Sequence, residues 1–156
     1  MWRSELAGQP READAWRGLY EYANSALPRP GSGLADLHVI LAQAVMRDDA
    51  ALDDRARQME ELAREGRYPS GPYLPTLARG FAEFESRDFA GAIEALAPLA
   101  GHNERIGGSR AQHDLIEFTL LKAYIEASRL EDARRLLDAR RPGASGIPVM
   151  GVAAVH

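Results

Sequence analysis

Three pairs of helix-forming segments, each joined by only a few residues, constrain this chain more than any other feature. Residues 34–46 (LADLHVILAQAVM) precede 49–65 (DAALDDRARQMEELARE), 73–86 (YLPTLARGFAEFES) precede 88–100 (DFAGAIEALAPLA), and 110–127 (RAQHDLIEFTLLKAYIEA) precede 130–141 (LEDARRLLDARR). A link that short turns the chain straight back, so each pair must run antiparallel. Longer links, GRYPSG at 66–71 and GHNERIGGS at 101–109, separate the pairs. The pairs recur at about 40 residues, the signature of stacked repeats. A lone hairpin has too little area to bury its apolar face, and stacking joins those faces into one core. The expected fold is therefore all-α: a short α-solenoid of stacked antiparallel hairpins.

One domain is expected over residues 1–141. A lead-in helix spans about 10–26, with Pro10 in its first turn and Ala15, Leu19, Tyr22 and Ala23 as its apolar stripe. PRPGSG at 28–33 ends it. No segment alternates apolar and polar residues as a strand does. The tail, 142–156 (PGASGIPVMGVAAVH), has no helical period and is expected to be irregular or to dock loosely through Ile147, Val149 and Met150.

Composition excludes several functions. The chain has no cysteine, so disulfides, thiolate metal sites and a cysteine nucleophile are absent, and a reducing, cytoplasmic setting is the expectation. A net charge of −4 argues against nucleic-acid binding. No apolar run is long enough to cross a membrane. No cofactor fingerprint and no metal-binding HExxH occur.

The last two pairs carry residues that resemble tetratricopeptide repeats. Gly80, Ala82, Phe89, Ala92 and Leu96 mark one, and Leu120, Ala123, Tyr124, Leu130, Ala133 and Leu137 the other. Small residues such as Gly80 let two helices approach, and large ones fill the gaps beside them. The period exceeds the roughly 34 residues of that motif. Across most of the chain, MWRSELAG, ADAW at 13–16, ADLHVILA at 35–42 and RIGGSRAQHDLIEFTL at 105–120 are similar to the C-terminal part of the tetratricopeptide repeat protein 38 family. The shared features are a histidine two residues after an aspartate (Asp36, His38) and an Arg-Ile-Gly-Gly-Ser-x-Ala-Gln-x-Asp segment (Arg105 to Asp114). Arg110 and His113 stand exchanged relative to the family pattern, and the tail after Arg141 does not resemble the family's. The resemblance implies a fold rather than a reaction. It also implies that the chain begins partway through a longer solenoid, leaving an apolar end near residues 1–26.

RIGGSRAQHD has two readings. In the simpler one it starts a helix, with Ser109 and Gln112 forming a capping box and Gly107 and Gly108 allowing the sharp entry. In the other, the helix N-terminus, the glycine amides and the side chains of Arg105 and Arg110 gather a carboxylate or phosphate. Ser109, His113 and Asp114 do not make a nucleophile with its base, because adjacent helical residues point about 100° apart. No catalytic residue is expected. Tetratricopeptide folds line a concave surface with the first helix of each pair. The resemblance thus implies a polar strip of Asp36, His38, Tyr73, Arg79, Glu83, His113 and Glu117. The acids of 48–61, interleaved with Arg47, Arg55 and Arg57, are expected on a solvated face.

The expected function is a non-catalytic interaction module that binds a peptide or protein through Asp36, His38, Arg79, Arg110 and His113. Two alternatives remain. One is an accessory part of an enzyme or small-anion-binding protein using the Arg105–Asp114 corner. The other is a homodimer through the aromatic N-terminal end bearing Trp2 and Trp16.

Overall fold

The computed structural model describes residues 1–102, 110–139 and 148–155. These form eight α-helices: α1 Trp2–Leu6, α2 Ala13–Ala26, α3 Gly33–Val45, α4 Asp49–Arg64, α5 Tyr73–Glu85, α6 Phe89–Leu96, α7 Arg110–Glu126 and α8 Leu130–Ala139. Two short 3-10 turns, Ala97–Leu99 and Val152–Val155, complete them, and no strand occurs among the described residues.

The three hairpin turns are built alike. α3, α5 and α7 each end on a non-glycine residue in the left-handed region: Arg47, Arg87 and Ser128, at φ 57°, 63° and 58°. The next amide then closes back over the helix end. Asp48 N–H donates to the Gln43 carbonyl at 3.1 Å, Asp88 N–H to Glu83 at 2.9 Å and Arg129 N–H to Tyr124 at 2.8 Å. This pattern satisfies carbonyls that a helix end would otherwise leave without donors. In the first two turns the following aspartate caps the returning helix. Asp48 accepts from Ala51 N–H at 3.0 Å and Asp88 from Gly91 N–H at 2.9 Å. Tyr20 also donates to Asp48, and this bond with the Ala51 amide holds the carboxyl below its ordinary pKa.

Packing follows the hairpins in part. α3 packs on α4, α5 on α6 and α7 on α8, while α5 also lies against both α3 and α4, and α6 against α7. α5 and α7 share no comparable face, because α1 lies between them. Trp2 of α1 meets Phe81 and Phe84 of α5 edge-on, with ring centroids 6.3 and 5.5 Å away. It also meets Trp16 of α2 at 6.4 Å, and its indole N–H donates to Thr119 Oγ1 of α7 at 2.8 Å.

Several sequence expectations change. α1 is a helix the sequence pattern did not reveal. α2 starts at Ala13, so Pro10 precedes it. Its inward stripe is Trp16, Leu19, Tyr20 and Ala23, whereas Tyr22 faces water. α6 stops at Leu96 and tightens to a 3-10 turn, since Pro98 has no N–H to donate four residues back. The tail reaches the core: Val149 and Val155 are buried, while Met150 is exposed. Ile147 falls outside the described residues.

α7 is buried nearly all round: Leu115, Ile116, Phe118, Leu120, Leu121, Ala123 and Tyr124 are buried, and so are the polar Asp114, Thr119 and Lys122. Such a helix must be covered on every side. α6, α8, α1 and the tail surround it.

Gly80 bears out the expectation of close helix contact. A Cβ there would lie 2.4 Å from Leu96 Cδ2 and 2.7 Å from its Cγ. Leu96 is fully buried, so it cannot swing away freely. Overpacking of this kind costs about 1–3 kcal/mol, more than the roughly 1 kcal/mol that alanine returns in helix propensity. Gly18 of α2 has nothing within 4 Å of its added Cβ. Gly80→Ala should therefore lower the urea midpoint and Gly18→Ala should raise it. Equal shifts for the two would refute the close-contact account.

Candidate functional site

Asp36 sits in the first turn of α3 and turns inward. Its Oδ2 accepts the Gly31 and Ser32 amides at 3.0 Å each, joining the α3 N-terminus to its lead-in loop. Oδ1 accepts from Arg55 Nε at 3.2 Å and Nη2 at 2.6 Å. The Tyr68 hydroxyl donates to Oδ2 at 2.7 Å. Arg55 Nη1 reaches the Leu27 carbonyl at 2.9 Å. Asp36 and Arg55 are 1% and 5% exposed, so neither can meet a partner. Placing Asp36 on a binding strip is thus corrected: five donors claim its two oxygens, and water does not reach it. Arg55 likewise leaves the solvated face expected for it. It lies on the α4 stripe of Leu52, Ala56 and Met59, a helical spacing that the sequence shows once charge is disregarded.

Burial pushes the Tyr68 phenol well above its ordinary pKa, and the bond to Asp36 pushes it further. A phenol whose pKa is raised on folding contributes stability that is complete below about pH 10 and declines as pH rises beyond it. The urea midpoint should therefore fall between pH 9 and 11. In Tyr68→Phe that slope should flatten, although the midpoint at pH 8 is lower. An unchanged slope would show that Tyr68 ionises without unfolding the protein.

Arg79 points elsewhere. It lines an open groove of about 470 Å³ between α4 and α5. The floor is apolar, formed by Leu52, Ala56, Ala78 and Ala82. Its rim carries both signs of charge: Asp53, Arg57 and Glu60 from α4, and Arg79 and Glu83 from α5. Arg57 is already engaged by Asp54 at 2.8 Å. The groove thus joins a first helix to the second helix of the preceding pair. Arg79 and Glu83 belong to the expected polar strip, and the α4 charges expected on a solvated face line the same groove.

The other candidates do not converge. His38 is exposed on α3, and partial desolvation by its surroundings lowers its pKa. α3 packs on α2, α4 and α5, whereas α7 packs on α1, α6 and α8, so the helix bearing His38 shares no broad contact with the one bearing Arg110 and His113. Arg110 is exposed at the start of α7 and His113 is half-buried. Asp114 is buried, with Arg3 Nη2 of α1 at 3.8 Å. The same guanidinium lies 5.4 Å from the Phe118 ring centroid. Arg105, Gly107, Gly108 and Ser109 lie outside the described residues, and with them the capping box and the anion corner.

Trp2 and Trp16 are buried within the chain, 4% and 2% exposed, so they form no aromatic end on which a second copy could pair. Among the described residues, no group of three or more histidine, aspartate or glutamate side chains is placed to hold a metal. None of the described helices is long and apolar enough to cross a membrane. Compared against family models, curated proteins and solved structures, the chain finds no match in any of the three.

Proposed function

We propose that this chain is a non-catalytic interaction module, a short α-solenoid of the tetratricopeptide kind, that holds an extended peptide segment of another protein in the α4–α5 groove. The resemblance to the tetratricopeptide repeat protein 38 family belongs to the same reading. The three matching hairpin turns and the packing of α3 on α5 support the architecture. The groove carries the function: an apolar floor between two charged rims suits a main chain with small side chains below and charges of both signs at its edges. A peptide with a carboxylate opposite Arg79 and a base opposite Glu83 fits it.

Selection from a random peptide library tests this directly. Enriched peptides should carry an acid and a base a few residues apart. Arg79→Ala should weaken them by up to about fivefold, since a rim charge contributes up to roughly 1 kcal/mol. Asp36→Asn should leave binding unchanged wherever the protein is folded. If enriched peptides bind an Arg79→Ala/Glu83→Ala protein as tightly as the parent, or if none is enriched, the groove is not the binding site.

A further inference from the structure

The C-terminal segment 148–155 lies on the helical body in the manner of a bound peptide. It packs against α7 and α8 and touches α1. Two aliphatic anchors, Val149 and Val155, are buried, while Met150 between them is exposed. Among the described residues, three hydrogen bonds join the segment to the helical body, and all three engage its main chain. Met150 N–H donates to the Leu6 carbonyl at 2.7 Å. Lys122 Nζ donates to the Met150 carbonyl at 3.3 Å, and Arg134 Nε to the Val155 carbonyl at 2.9 Å. Lys122 is the chain's single lysine; it is nearly buried and is braced by Glu126 at 2.6 Å. At Gly151 the tail backbone presses on α7. The φ is +92°, and a Cβ would lie 3.0 Å from Ile125 Cγ2. The seat thus reads Val-x-Gly-x-x-x-Val through two apolar anchors, one close approach and main-chain hydrogen bonds. That combination is how peptide grooves work: main-chain bonds supply affinity and pockets supply specificity.

We propose that α1, α7 and α8 form a second peptide-binding cleft, which the chain's own residues 148–155 occupy as a tethered, exchangeable ligand. Exchange is favoured by the balance of forces. Two buried valines, the half-buried Val152 and three hydrogen bonds oppose the ordering of eight residues, so the tail opens more readily than the helices unfold. Its release uncovers the surface of α7 around Ile125 and Lys122 that the tail covers, and that surface binds a replacement of the same chemistry. The natural class of ligand is a short segment with small aliphatic anchors flanking a glycine and a 3-10 turn after it. The α4–α5 groove, with its charged rims, selects a different peptide.

The test is fluorescence anisotropy with a labelled peptide of residues 148–155, PVMGVAAV, and the full-length chain. In V149D/V155D the tethered tail is disabled, and the peptide should bind saturably. Wild type should bind it at least about tenfold more weakly, because the tethered tail competes at an effective concentration in the millimolar range. A peptide carrying Gly151→Val should bind neither. Should V149D/V155D fail to fold by circular dichroism, a second variant decides. A Cβ at Gly8 would lie 3.6 Å from Met150 Cβ, within disulfide range, and the chain has no other cysteine. In G8C/M150C the peptide at high concentration should bind the reduced protein and not the oxidised one. Equal binding to both forms, or no binding to any folded variant, would overturn the proposal.

Discussion

Asp36→Ala lowers stability by about 3–5 kcal/mol, because it leaves the buried Arg55 guanidinium without its counter-charge. The same change strips the acceptor from the Tyr68 hydroxyl and from the Gly31 and Ser32 amides. A domain of this size has only about 5–15 kcal/mol of net stability. At roughly 2–4 °C per kcal/mol, the unfolding midpoint falls by about 10 °C. Asp36→Asn keeps the shape and loses the charge, so it falls less far. Combining Asp36→Leu with Arg55→Met removes both charges at once and recovers much of the loss, since paired apolar replacements of a buried ion pair are often close to neutral. The double-mutant cycle measures the coupling. A loss below about 1 kcal/mol for Asp36→Ala would mean that water reaches the pair and that Asp36 remains available to a partner.

Trp2→Ala has an effect of the same order, about 3–5 kcal/mol, for a different reason. Its indole touches rings from α2 and α5 and bonds to α7, so its loss opens a cavity where four helices meet. Trp2→Phe restores most of the volume and the edge-to-face contacts but removes the bond to Thr119, and costs about 1–2 kcal/mol. Thr119 keeps its own bond to the Leu115 carbonyl at 2.6 Å, which limits the penalty. Urea unfolding followed by circular dichroism reads both changes. If Trp2→Ala shifts the midpoint no more than an exposed substitution such as Tyr22→Ala, α1 is not part of the core.

Nearby, Arg11 forms a two-point pair with Glu85 at 2.8 and 2.9 Å and also meets Glu5 at 2.8 Å. The bonds to Glu85 and then Glu5 raise its pKa further above an already high value, so it stays charged. These contacts tie the α1–α2 link to the end of α5. They are partly exposed and steer the chain more than they stabilise it. Trp2, Glu5 and Arg11 thus act together: the aromatic supplies the burial, and the charges set the path along which α1 enters between α5 and α7.

The helices and their pairing were legible in the residues themselves. Most boundaries from Gly33 to Ala139 follow local signals: apolar spacing of three and four, aspartate caps at Asp48 and Asp88, and a break at Gly66, although apolar spacing alone carries α6 past Pro98, where the structure ends it. Such signals act within one or two turns, so no distant contact is needed to decode them. Gly80 was readable for the same reason, since a glycine in a strong helix pattern marks a close approach. Tertiary structure alone decided which polar groups turn inward and how the chain ends close the core. Asp36 and His38 differ by two positions on one helix, yet one is the hub of a buried network and the other faces water. Their fates depend on Arg55 and Tyr68, which arrive from other segments. α1 is five residues long, too short for any period to show and too short to hold helical form alone. It exists because Trp2 finds Thr119 at the opposite end of the chain, and Val149 and Val155 are buried because α7 has a face left to cover.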